Sequence, residues 1–124
     1  MTTRILGSGL TAALLLTTLA SPPADAEMAT FTALVTKTMV TADDQFGGCM
    51  AALNVDPKAK LAKCGATWVS FDCRGKFATD PLLAYRLLDQ AQLALAANKS
   101  VRVTVDDARI VNGICFARRL DVVK

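Results

Sequence analysis

Any chemistry in this chain has to proceed without histidine, which is absent from all 124 residues. Histidine is the side chain that ordinarily titrates near neutrality, so its absence removes the usual general base and closes off Ser-His and Cys-His nucleophiles. Carboxylates remain, and the best placed are the doublets Asp43-Asp44 and Asp106-Asp107. Neighbouring residues of an extended strand point to opposite faces, so neither doublet can readily converge as an acid and base pair. Hard oxygens from both doublets could hold calcium if they met, but such a site takes about six oxygens or more, and aspartate is also an ordinary turn residue. The expectation is no metal and no cofactor. With so few catalytic roles filled, no enzyme is expected either.

Binding has more material. Arg74, Lys76, Arg102, Arg118 and Arg119 come from what read as the last three strands or their ends, and Trp68 precedes them with a flat ring able to stack on a ligand. An acidic sugar or an anionic lipid headgroup would suit such a set. Alternation puts Arg118 and Arg119 on opposite faces unless a bulge intervenes, so a shared surface takes only part of it. The four cysteines, Cys49, Cys64, Cys73 and Cys115, show no C-x2-C spacing and have no histidine to complete a zinc site. An even number in an exported chain reads as two disulfides.

Export is written at the N-terminus. Arg4 is followed by an uncharged apolar stretch over 5–20, then by Ser21-Pro22-Pro23 and the small-x-small triplet Ala24-Asp25-Ala26. A positive charge, a short greasy helix and a triplet the peptidase can grip make a cleavable secretory signal over 1–26. The apolar run is shorter than the ~20 residues that span a bilayer, so no stable membrane span is expected after cleavage. Removal of 26 of the 124 residues leaves 98, a single domain over 27–124. It also removes one base, Arg4, and one acid, Asp25, so the net charge stays +3. A charge so small and scattered is not the footprint of a nucleic-acid binder. No lipobox cysteine follows the signal. The destination is the periplasm or the exterior, the expected partner is an envelope or extracellular ligand (glycan, lipid or protein), and a homo-oligomer is compatible with the sequence.

The elements that must position these residues follow from periodicity. Phe31, Ala33 and Val35 alternate with Thr30, Thr32 and Leu34 in a strand over 30–41, and a second runs over 49–55 until Asp56-Pro57 stops it. A helical turn is expected within 58–66. The third strand, 67–73, directs Val69, Phe71 and Cys73 one way and Trp68, Ser70 and Asp72 the other. Asp80 caps and Pro81 opens the one long helix, whose apolar stripe is Ala84, Leu87, Leu88, Ala91, Ala94 and Leu95. Val101, Val103 and Val105 mark a fourth strand that should stop at Asp106-Asp107. Asn112-Gly113 is a tight turn, and 114–123 is the fifth strand.

Three strands, a helix and two strands are the element order of a five-stranded OB-fold-like Greek-key barrel with the helix plugging one end. The alternative is an α+β sheet-plus-helix sandwich. In the barrel the third strand lies beside the fifth, so Cys73 should pair with Cys115 across the seam, while Cys49 to Cys64 closes a local loop. That makes the first bridge the indispensable one. The doublets Asp43-Asp44 and Asp106-Asp107 would fall in the two loops that flank one binding face.

The residues Trp68-Val69-Ser70-Phe71-Asp72-Cys73, Ala84-Tyr85-Arg86, Val103-Thr104-Val105-Asp106-Asp107 and Asn112-Gly113-Ile114-Cys115-Phe116-Ala117-Arg118-Arg119 resemble a group of small exported proteins of Gram-negative bacteria, mostly uncharacterised. The resemblance covers about half the chain and implies no activity. In element order alone the chain is similar to the OB-fold receptor-binding B subunits of pentameric bacterial toxins, a similarity that implies glycan binding and ring assembly and carries no residue with it. The resulting expectation is an exported, non-enzymatic binding domain. The alternatives are an inhibitor or interaction protein that blocks a partner, and a receptor binder like a toxin B subunit.

Overall fold

A computed structural model of the chain describes residues 26–77 and 80–124. The expected leader, 1–26, lies outside the described residues except for Ala26. Five strands and one long helix follow: β1 (Met28–Val40), β2 (Cys49–Leu53), β3 (Trp68–Ser70), α1 (Pro81–Ala97), β4 (Ser100–Val111) and β5 (Ile114–Val123), with a short 3-10 turn at Pro57–Ala59. The protein is therefore mainly β with one long helix and two disulfides.

β1 serves two neighbours in turn. Its first half pairs antiparallel with β4, from Met28↔Asp106 to Leu34↔Ser100, and its second half with β2, from Lys37↔Ala52 to Val40↔Cys49. The register shifts between Val35 and Lys37, and such an irregularity bends a strand, which lets one strand belong to both sides of a curved sheet. β2 then pairs with β3, β3 with β5 and β5 with β4, so the order β1-β2-β3-β5-β4 returns to β1 and closes a ring. The β3–β5 contact is parallel and has a single register pair, Ser70↔Phe116.

Inside the ring lie Phe31, Ala33, Val35, Ala51, Leu53, Val69, Phe71, Val101, Val103, Val105, Ala117 and Leu120. The alternation of β1 is as its sequence implies. α1 covers this core with Ala84, Leu87, Leu88, Ala91 and Ala94; burying each leucine contributes about 2 kcal/mol. Leu95, expected in the same stripe, is 39% exposed. Asp80 caps the first turn by accepting from Leu82 N at 2.9 Å, with Pro81 at the first helical position. Asn98 ends the helix at φ 49°.

Four expectations are corrected. The helical turn expected within 58–66 reduces to Pro57–Ala59. The third strand ends at Ser70 because Asp72 takes φ 59° and turns the chain. β4 does not stop at Asp106-Asp107 but runs to Val111, and its register jumps from Asp106↔Phe116 to Ile110↔Cys115, so 107–109 bulge out of the sheet. The disulfides are Cys49–Cys73 and Cys64–Cys115, with Cα–Cα distances of 5.5 and 5.1 Å, rather than Cys49–Cys64 and Cys73–Cys115. The reason is register. β3 does lie beside β5, but parallel pairing at Ser70↔Phe116 sets Cys115 beside Val69 rather than Cys73. The turn at Asp72 instead brings Cys73 back to the start of β2, where Phe71 N donates to Cys49 O at 3.1 Å. The β2–β3 loop meanwhile lies on the β4–β5 turn, so close that a Cβ on Gly65 would stand 2.6 Å from Gly113 O. Cys64 thereby reaches Cys115.

Candidate functional site

The β1–β2 loop and the segment after β3 are bound to each other at several points. Ser70 Oγ donates to Phe46 O at 2.8 Å, Arg74 N donates to Gly47 O at 3.0 Å, and Cys49–Cys73 crosses between them. Asp72 is fully buried, and its carboxylate accepts from the backbone N–H groups of Lys76 and Phe77, which shapes the segment that carries Arg74 and Lys76. Gly47 and Gly48 take φ 79° and 83°; a Cβ on Gly48 would stand 2.9 Å from Arg74 Cγ. The glycine leaves room for the arginine stem to lie flat on the loop.

Two clefts adjoin along Arg74. One, of about 420 Å³, is polar, lined by Asp44, Gln45, Asp72, Arg74, Lys76 and Asn112 with Gly47 and Val111. The other, of about 390 Å³, is less polar, lined by Val40, Thr41, Gly48, Cys73, Arg74 and Tyr85. Among the described residues the Arg74 side chain has neither a hydrogen bond nor an ion pair. Its planar fork of donors is suited to a carboxylate. Lys76 adds a second cation, Asp44 and the amides of Gln45 and Asn112 can exchange hydrogen bonds with hydroxyls, and Tyr85 gives an aromatic wall.

The basic set expected from the sequence is divided among three places, and only Arg74 and Lys76 share a cleft. Trp68 lies on the outer face of β3, where Lys37 Nζ sits 5.8 Å from its ring centroid; Ala52 stands between the two in register, Lys37↔Ala52↔Trp68. Arg118 and Arg119 are both exposed because β5 carries the bulge that alternation required: Thr104 pairs with Arg119 and Val105 with Ala117, leaving Arg118 extra. Their guanidinium groups are engaged. Arg118 Nη1 lies 3.9 Å from Asp106 Oδ2 and 3.1 Å from Met28 Sδ. Arg119 Nε donates to Asp121 Oδ1 at 3.0 Å, and that bond, with the carboxylate's charge, raises the guanidinium above its ordinary range. Arg102 is exposed on β4, with Asp121 opposite it in register.

The aspartate doublets also part. Asp43 and Asp44 stand in the β1–β2 loop, whereas Asp106 and Asp107 are buried at the opposite end of β1, against Met28 and Glu27. Asp106 holds Arg109 and Arg118 at 3.8 and 3.9 Å and accepts from Ala108 N at 2.9 Å. Asp107 lies 3.6 Å from Lys63. No group of three or more metal-ligating side chains occurs among the described residues, so the four aspartates do not converge. Gln45, Asn112 and Tyr85 line the clefts with groups able to meet a ligand, and sequence reasoning did not single them out as ligand contacts. A signal existed for Asn112, since Asn112-Gly113 forms the tip between β4 and β5 and that loop was expected to flank the same face as the β1–β2 loop.

No family model matches the chain, and neither a curated protein nor a solved structure matches it. Among the described residues no helix is long and apolar enough to cross a membrane.

Proposed function

We propose that this chain is an exported, non-enzymatic binding domain of OB-fold-like architecture, and that its ligand is a saccharide bearing a carboxylate. The single observation that carries the reading is Arg74, an arginine whose side chain has no partner among the described residues, on the boundary between a polar and a less polar cleft. The loops around it, β1–β2 and β4–β5, are those that border the ligand face in an OB-fold. The carboxylate would meet the Arg74 fork, hydroxyls would meet Asp44, Gln45 and Asn112, and the apolar face of a ring would rest on Tyr85. A leader with a small-x-small triplet and two disulfides support export to an oxidising compartment. Binding without turnover fits a chain that has no histidine.

Titration calorimetry with uronate-containing oligosaccharides and their neutral counterparts tests this. Acidic ligands should bind more tightly, and Arg74→Ala should weaken them at least about 10-fold, since a charge-assisted bond contributes about 2 kcal/mol. Equal affinity for neutral and acidic sugars, or an unchanged affinity in R74A, would remove the basis of the proposal. The second reading is an interaction protein that blocks a partner, favoured by Val40 and Tyr85, which line the second cleft and are 63% and 51% exposed. A stoichiometric protein recovered from an envelope extract, lost on Tyr85→Ala, would support it.

A further inference from the structure

The cut that releases the leader would fall at a point that the folded domain holds in its own hydrogen-bond network. Glu27 is the first residue after the Ala24-Asp25-Ala26 triplet. Its backbone nitrogen lies 2.8 Å from Asp107 Oδ1, and Asp107 N in turn donates to Glu27 O at 3.1 Å. Asp107 is a buried carboxylate, its side chain 3% exposed, and the group facing its other oxygen is Lys63 Nζ at 3.6 Å, from the β2–β3 loop. The residue sits in the bulge where β4 leaves register with β5. No feature of the cleft uses it.

We infer that maturation converts the Glu27 nitrogen into an ammonium that Asp107 captures. Hydrolysis adds water across the Ala26–Glu27 peptide bond: the acyl side leaves as the Ala26 carboxylate and the amine side becomes the Glu27 amine, protonated near neutrality. An N–H donor is present before and after the cut, so the hydrogen bond keeps its place and gains a full charge. Charge-assisted bonds of this kind are shorter and roughly twice as strong as neutral ones, and a carboxylate withdrawn from water needs that compensation. Asp107 then lies between two cations, Glu27 at the start of β1 and Lys63 in the β2–β3 loop. The processed terminus is thereby a structural part of the domain, tying β1, the bulge and the β2–β3 loop together.

This rests on the leader reading, and the experiment separates the two. The full chain is expressed with its leader and the exported product recovered; its intact mass gives the first residue. A product beginning at Glu27 is expected, and one beginning elsewhere overturns the inference. The mature protein is then acetylated selectively at its α-amine, which keeps the N–H and removes the charge. A melting temperature lower by about 5 °C is expected, with a comparable drop in Asp107→Asn and little further loss when D107N is acetylated. An unchanged melting temperature on acetylation overturns the capture even when cleavage is correct, and an acetylation effect that persists undiminished in D107N assigns the charge to another partner and does the same. If D107N fails to fold, acetylation of the wild-type protein still decides.

Discussion

At the scale of single residues, burial decides which charges take part in the fold and which remain available. Asp72, Asp106 and Asp107 are the buried carboxylates of the domain, and each meets backbone N–H groups or cations. They hold loops in place. Arg119 is raised by its bond to Asp121, but both lie at the surface, where ion pairs add little to stability. Arg119→Ala should therefore leave the denaturation midpoint unchanged. Gly65 is different, because a Cβ there would meet a backbone oxygen, Gly113 O, at 2.6 Å, with no flexible side chain to move aside. Gly65→Ala should cost about 2 kcal/mol in urea denaturation. Gly75→Ala is the control: nothing lies within 4 Å of its added Cβ, so only the strain of φ 76°, about 1 kcal/mol, applies. Equal costs would show that the close approach of the two loops is not a constraint.

Between residues and the whole fold stand the elements, and here the sequence was legible where local chemistry sets the boundary. Asp80-Pro81 begins α1 and Asn112-Gly113 turns β4 into β5, both at the expected positions, and Asn98 ends the helix. Each signal is intrinsic: a capping carboxylate, a fixed φ, side chains that tolerate positive φ. Legibility failed where a long-range partner decides. Little local to Asp106-Asp107 says that a β-strand continues past two buried carboxylates; Arg118, Lys63 and Glu27, drawn from three other parts of the chain, make that tolerable together with the neighbouring Arg109. Nor does spacing show that β3 ends three residues before Cys73. The two disulfides carry the same lesson, since the neighbours were foreseen and the parallel register was not. Their separations, 24 for Cys49–Cys73 and 51 for Cys64–Cys115, correspond to about 3 and about 4 kcal/mol of loop entropy. In denaturant, C64A/C115A should be the less stable double mutant. C49A/C73A should be the one that loses ligand, because that bridge fixes the backbone on which Arg74 stands.

For the whole molecule, ring closure is the governing feature, because it leaves few backbone groups along strand edges to recruit another chain. The ring is uneven. β4 and β5 are paired along nearly their full length, and the first half of β1 pairs with β4 from Met28↔Asp106 to Leu34↔Ser100, yet β3 meets β5 at the one pair Ser70↔Phe116. The short seam runs beside Cys64–Cys115 and the contact of Gly65 with Gly113. A sheet with one weak join does not open everywhere with equal ease. Local opening should begin at that join, so the amides of Trp68–Ser70 should exchange with deuterium faster than those of Val101, Val103 and Val105, and removal of Cys64–Cys115 should widen the gap. Equal protection in both groups would argue against a weak seam. In the order of assembly, the seam joins segments far apart in sequence and is expected to form late, after the β4–β5 hairpin has closed through nearby contacts. While it is open, Cys64 and Cys115 remain apart. A reduced, newly made chain would then carry its last free thiols at this place, and oxidation there would record that the ring had closed.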